Sequence, residues 1–202
     1  CNEMSGDEKP MFFSDLVFTM EPIETKRLYL RRLETADARD IFEYGRDPEV
    51  ARHVLWEAYT SVSECKSYIR AMQRRYRLGD PASWGIVLKE EGRVVGTIGY
   101  MWYQSEHSAV EVGYSLAREC WNKGLMTEAL SAVIAYTFNK LRVNRIEAQY
   151  ELDNPASGAV MKKCGMTYEG TLRQRLYNKG RYVDVGLCSI LKSEYVSHAN
   201  FD

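Results

Sequence analysis

Trp121-Asn122-Lys123-Gly124-Leu125-Met126-Thr127-Glu128-Ala129-Leu130 decides how this chain folds, because a strand ends before it and a helix begins inside it. Upstream, Val110, Val112, Tyr114 and Leu116 alternate with Glu111, Gly113 and Ser115, which gives a strand with two distinct faces. Downstream, Met126, Ala129, Leu130, Val133, Ile134, Phe138 and Leu141 recur at helical spacing, with only Thr137 out of character, so a helix runs from about Leu125 to Leu141. Ile146, Ala148, Tyr150 and Leu152 then alternate as another strand. Strand, helix and strand at this spacing form a βαβ unit, whose two strands run parallel.

The quoted loop therefore opens a helix, and the first turn of a helix carries unpaired N–H groups at a positive dipole end. A phosphate fits there. Gly124 lets the backbone approach it closely, and Lys123 adds a cation. The same residues also serve as an ordinary strand-to-helix turn, so the loop alone leaves both readings open.

Working outward, Thr25–Leu33 alternates as a strand, and Thr35 caps a helix running to Tyr44. Ser61-Val62-Ser63-Glu64 is a capping box for a second helix, whose apolar stripe is Val62, Cys65, Ile69, Met72 and Tyr76. Strands follow at Ser83–Lys89 and Val94–Tyr103. Asn154-Pro155 opens a short helix that Gly165 ends. Two closing strands, Thr167–Tyr177 and Arg181–Leu191, flank an Asn178-Lys179-Gly180 hairpin turn. The sum is a mixed sheet with about four helices, an α/β or α+β sandwich. Residues 1–20 lack a period and read as a tail or arm, 21–197 as one domain, and 198–202 as a tail.

Composition narrows the function. A chain of 202 residues, 45% hydrophobic, buries a core without staples. A net charge of −1 removes the global basic field expected of a nucleic-acid binder. Five scattered cysteines argue for a reducing compartment, hence the cytoplasm, and against a disulfide framework. No apolar run has the length of a membrane span. His53, His107 and His198 stand apart, so no metal is expected. Arg70, Arg74, Arg75 and Arg77 read as a solvated face. Trp56, Tyr59, Trp84, Trp102 and Tyr103 divide between core and the wall of an acceptor groove.

The run Glu111–Leu130 resembles motif A of the GNAT superfamily of N-acetyltransferases, and its W-x-K-G-x-M-x-E-A-L form is similar to the ribosomal-protein N-terminal (alanine/serine) acetyltransferase branch. Asn154-Pro155-Ala156-Ser157, Lys163-Cys164-Gly165-Met166, Glu169-Gly170-Thr171-Leu172-Arg173, Tyr182-Val183-Asp184 and Glu24-Thr25-Lys26-Arg27-Leu28 continue the likeness in order. Three positions depart from the usual pattern: Trp121 for Gln or Arg, Met126 for a small residue, and Met166 for an aromatic. The resemblance implies a mixed, mostly antiparallel sheet of about six to seven strands, splayed between its two parallel strands, with acetyl-CoA as cosubstrate. It implies the pantetheine arm along Val112, Gly113, Tyr114, Ser115 and Leu116. The diphosphate would lie on the loop Trp121, Asn122, Lys123, Gly124, Leu125, Met126 and Thr127, with Asn154 at the cofactor. It makes Ser157 the proton donor to the leaving sulfur, near the cofactor, and Glu111 a base acting directly or through water.

Acetyl transfer needs a neutral amine. An α-amino group, with pKa about 8, is roughly one tenth neutral at pH 7, whereas a lysine amine at about 10.4 is almost wholly charged. A modest base therefore suffices for a protein N-terminus. Three functions follow: acetylation of a protein N-terminal α-amine, perhaps ribosomal, by direct attack in a ternary complex; acetylation of a small amine such as a polyamine, amino sugar or antibiotic; or a coenzyme-A-binding module without turnover. A homodimer is compatible with each.

Overall fold

The computed structural model describes residues 16–199, which form one eight-stranded sheet and six α-helices. The strands are β1 (Ile23–Glu24), β2 (Leu28–Arg31), β3 (Ser83–Leu88), β4 (Arg93–Gln104), β5 (Ala109–Leu116), β6 (Arg145–Glu151), β7 (Thr167–Asn178) and β8 (Arg181–Leu191). The helices are α1 (Ala38–Gly45), α2 (Pro48–Ala51), α3 (Val62–Leu78), α4 (Leu125–Lys140), α5 (Pro155–Lys163) and α6 (Lys192–Ala199). The sheet order is β1-β2-β3-β4-β5-β6-β8-β7, antiparallel throughout except for the β5–β6 pair. None of the described helices is long and apolar enough to cross a membrane.

The expected parallel pair forms over a short distance only. Ala109, Val110 and Glu111 lie opposite Arg145, Ile146 and Glu147, and pairing stops there. Beyond it β5 stays on β4 through Leu116, and β6 stays on β8 through Glu151. The sheet thus opens into a wedge, with unpaired backbone on two facing edges.

Helix α4 crosses back over the sheet, burying Leu125, Met126, Ala129, Leu130, Val133, Ile134 and Phe138. Thr137, the residue that broke the pattern, is fully buried but satisfied. Its hydroxyl donates to the Val133 carbonyl at 2.6 Å and lies 2.6 Å from the Tyr100 hydroxyl. Helices α1 and α3 cover the opposite face. Ser61 caps α3 by accepting from the Glu64 N–H, and Cys65, Ile69 and Tyr76 bury its stripe. Burial pushes the Tyr76 hydroxyl up to about 12, and it donates to the Ser83 carbonyl at 2.5 Å.

Two expectations change. The strand expected over Thr25–Leu33 is shortened to β2, with the two-residue β1 before it, because the Thr25 hydroxyl donates to Glu128 at 2.6 Å and accepts from the Leu28 N–H at 3.0 Å, turning residues 25–27 around that carboxylate. The helix expected from Thr35 begins as a single 3-10 turn, Thr35–Asp37, before α1. The arm expected over residues 1–20 is packed at its end: Phe18 and Met20 belong to the core, with Phe18 set against Tyr100 and Tyr103. Local pattern missed this because one or two buried side chains carry no period. The rest of that arm, residues 1–15, and residues 200–202 of the closing tail lie outside the described residues.

Candidate active site

The quoted loop is shaped as its composition suggested. A 3-10 turn, Arg118–Cys120, ends β5, and Asn122 (φ 57°) and Gly124 (φ 75°) both adopt the left-handed conformation. Such a pairing turns successive N–H groups into one concavity, which favours an anion. Gly124 is the N-cap of α4 and no side chain caps the helix, so the leading N–H groups face outward. A Cβ on Gly124 would meet nothing nearer than an Arg27 nitrogen at 3.5 Å; the left-handed backbone, more than crowding, is what asks for glycine.

One carboxylate anchors this loop. Glu128 in the first turn of α4 accepts from the Arg27 N–H and Nε, both at 2.8 Å, besides Thr25. Arg27 Nη1 also donates to the Lys123 carbonyl at 2.8 Å. Burial pushes the Glu128 carboxyl up, but these hydrogen bonds outweigh it and hold the group below its ordinary range. Trp121 Nε1 donates to the Leu116 carbonyl at 2.8 Å, fastening the far side of the loop to the end of β5.

Two cavities meet at the wedge. The first, about 490 Å³, lies beside α4 and α5. It gathers Tyr114, Ser115, Leu116, Trp121, Asn122, Gly124, Leu125, Met126, Thr127, Asn154 and Ser157, eleven of the positions singled out by sequence. Asn154 occupies the N-cap of α5 but its side chain makes no capping bond. Lys123 does not line this cavity; its carbonyl is held by Arg27. The second cavity, about 390 Å³, opens on the α1–α3 side. Glu111, Val112 and Gly113 line this one instead, with Tyr44, Trp56, Tyr59 and Tyr68 as an aromatic wall. Trp56 and Tyr59 stack with ring centroids 5.5 Å apart, whereas Trp84 is buried in the core. Tyr114 and Ser115 line both cavities, as do His53 and Val54.

The titratable groups are few. Glu111 Oε2 accepts from Trp102 Nε1, and burial pushes its carboxyl above the ordinary range. A bulge in β4 opposite Glu111 leaves Met101 unpaired and packs its thioether over Gly113, where a Cβ would come within 2.9 Å of the sulfur. On the other face the Tyr114 hydroxyl lies 3.0 Å from Ser157 Oγ. Burial raises the Tyr114 hydroxyl well beyond its ordinary pKa, so it stays protonated. Glu151, at the end of β6 and 5% exposed, accepts from Asn178 Nδ2 through Oε1 and lies 3.0 Å from His53 Nδ1 through Oε2. Sequence reading took His53 as an isolated histidine and Asn178 as a turn residue, and did not single out Glu151. They are far apart in the chain, and no local spacing joins them.

These features coincide with a known family. Residues 27–167 match the model described as "Acetyltransferase (GNAT) domain". The chain belongs to the GNAT acetyltransferase family. It is 36% identical to an uncharacterized N-acetyltransferase, p20, of Bacillus licheniformis, covering 87% of this chain and 99% of that protein. It is 24% identical to the spermidine N(1)-acetyltransferase of Vibrio cholerae, over 86% and 98% of the two chains. The structure of RimL, a ribosomal L7/L12 alpha-N-protein acetyltransferase, in complex with coenzyme A superposes with a TM-score of 0.78 at 21% identity, covering 85% of this chain and 98% of that one. The protein is thus an acetyltransferase with the fold its sequence predicted, carrying one more strand and two more α-helices than expected.

Proposed function

We propose that this enzyme acetylates the α-amine of a polypeptide N-terminus in the cytoplasm, by direct attack in a ternary complex. The observation that carries the reading is the meeting of the two cavities across unpaired β5 backbone at Tyr114 and Ser115. One chamber takes the coenzyme and the other the amine, so the two reactants meet at the wedge.

Acetyl-CoA supplies an acetyl group activated as a thioester. The N–H groups of the Trp121–Thr127 loop hold its diphosphate at the α4 dipole. The free edge of β5 pairs with the pantetheine arm as an added strand would, from Val112 to Ser115. The carbonyl of Leu116 is already engaged by Trp121. An N–H near Val112–Tyr114 polarises the reacting carbonyl. Asn154 contacts the cofactor from the end of β6. Ser157 protonates the departing sulfur, with the protonated Tyr114 hydroxyl behind it. Glu111, on the wall of the amine cavity, draws in and orients the ammonium.

The aromatic cavity favours a monocation over a polycation. Its carboxylates are Glu111 and Glu151, and both oxygens of Glu151 are engaged. A polyamine, with several charges along its length, asks for more. The test is acetyl-CoA-dependent thiol release against peptides with free α-amines, the same peptides blocked at the N-terminus but containing lysine, polyamines and aminoglycosides. Turnover confined to free N-termini supports the reading. Preference for the small amines overturns it in favour of a metabolite or resistance enzyme.

A further inference from the structure

His53 is the histidine that lines both cavities, and nothing in its sequence neighbourhood marks it. It follows α2 in a loop, yet the end of β6, the end of β7 and the β7–β8 turn fix its position. Glu151 at the end of β6 binds Nδ1. Asn178 at the end of β7 binds the other oxygen of Glu151, so the carboxylate cannot swing away. Lys179, in the hairpin turn between β7 and β8, donates to the carbonyls of Val54 and Trp56 at 2.8 and 3.0 Å, and to Asn178 Oδ1 at 3.0 Å. The turn thereby clamps the loop that carries His53. Glu151 is 4% exposed at its side chain and His53 18%, so the pair sits inward with an outlet to the cavities.

An ionised carboxylate only accepts, so the neighbouring imidazole nitrogen must donate. That fixes the proton on Nδ1 and leaves the Nε2 lone pair as an acceptor. Nε2 makes no hydrogen bond to any described residue. A ring nitrogen held in this tautomer by a buried carboxylate, at the junction of two reactant chambers, is the arrangement of a general base. Glu111 is less well placed. It lines one cavity alone, and Trp102 holds one of its oxygens.

We infer that His53, held by Glu151, is the catalytic base that takes the proton from the acceptor ammonium, while Glu111 attracts and orients that ammonium. The inference rests on the assignment of the two cavities to coenzyme and amine. The ammonium gives one proton to Nε2, which later returns it to water. The freed amine forms the C–N bond and the C–S bond breaks. Sulfur leaves with a proton delivered through Ser157, balanced by the second proton the nitrogen loses after attack. The other charged groups around His53 are Glu49 on α2, Arg52 beside it, Asp153 after β6, Lys163 on α5 and Lys179 in the turn.

The experiment uses a peptide with a free N-terminal alanine and acetyl-CoA, across pH 6–9.5. For His53→Ala, kcat should fall about 100-fold near pH 7. The deficit should shrink toward pH 9, where the amine deprotonates unaided. Added imidazole should restore about tenfold, and the Kd for acetyl-CoA should stay within about twofold. His53→Gln, which keeps a donor for Glu151, should be equally slow and decides the matter if the alanine variant loses coenzyme. Independently of turnover, nitrogen-detected NMR should find His53 as the Nδ1–H tautomer, and Glu151→Gln should abolish that preference. A His53→Ala rate within about threefold of wild type, or a loss that is flat with pH and unrescued, overturns the base. So does an Nε2–H tautomer in the wild type. Wild-type protein that binds acetyl-CoA but leaves every amine untouched overturns the acceptor reading itself, and the base with it.

Discussion

The two chambers of this enzyme are built on opposite plans. The wall proposed to hold the diphosphate is one continuous stretch, Trp121–Thr127, whose shape follows from two left-handed residues and a helix start. The wall proposed to face the amine is assembled from α1, α3, six strands and the His53–Tyr59 loop, each contributing a few side chains. A contiguous wall depends on local backbone geometry, and single substitutions damage binding there by known backbone mechanisms. An assembled wall depends on tertiary contacts, and substitutions there alter rate and choice of acceptor.

The strongest test of this contrast lies where the chambers touch. Removing the proposed proton donor by Ser157→Ala, and the hydroxyl beside it by Tyr114→Phe, should each lower kcat by about 10²-fold or more. The double variant should cost little beyond the worse single one, because the two hydroxyls act as one relay. Steady-state rates with coenzyme Kd measured alongside check this; additive losses would separate the two groups.

Glu111→Gln comes next. The enzyme should lose about 30-fold in kcat/KM, mostly through KM for the amine, with coenzyme affinity unchanged. Because burial holds the Glu111 carboxyl above its ordinary range, its ionised form is lost at a higher pH than for an exposed glutamate. The acid limb of the wild-type kcat/KM profile should therefore include a step above the ordinary carboxyl range that is absent from the glutamine variant.

On the contiguous wall, Gly124→Ala forces a Cβ into a left-handed backbone at a cost of about 1–2 kcal/mol. Acetyl-CoA should bind about tenfold more weakly by calorimetry, with the amine KM untouched. The smallest effect is expected of Glu128→Gln. Its carboxylate is partly open to water, so screening reduces its ion pair to about 1 kcal/mol or less. The sign of its pH dependence is fixed all the same. The folded-state pKa is depressed, so this contribution is present above the ordinary glutamate pKa and is lost as pH falls through the folded value. Thermal melts from pH 7 down to pH 3 should show the gap between wild type and Glu128→Gln closing.

Much of this was legible in residues. The α4 stripe, the β5 alternation and the Asn154-Pro155 helix start all survive in the structure, with ends shifted by one or two positions. Each is set by interactions within a few residues, which is what periodicity and capping report. The late start of one expected strand, at Leu28 instead of Thr25, was not legible, since its cause, the Thr25–Glu128 contact, spans 103 residues. Nor was the core role of Phe18 and Met20.

The site divides along the same line. Sequence alone determined the turn at Trp121–Thr127 that opens α4, the strand that stops short of it, and the positions of Ser157 and Asn154, because a helix terminus is shaped by consecutive residues. Only the tertiary structure decided that β5 and β6 part after Glu111, that Tyr114 reaches Ser157, and that His53, Glu151 and Asn178 converge from three elements. Convergence of that kind is fixed by how sheet and helices pack, and packing couples residues whose separation along the chain carries no information about their separation in space.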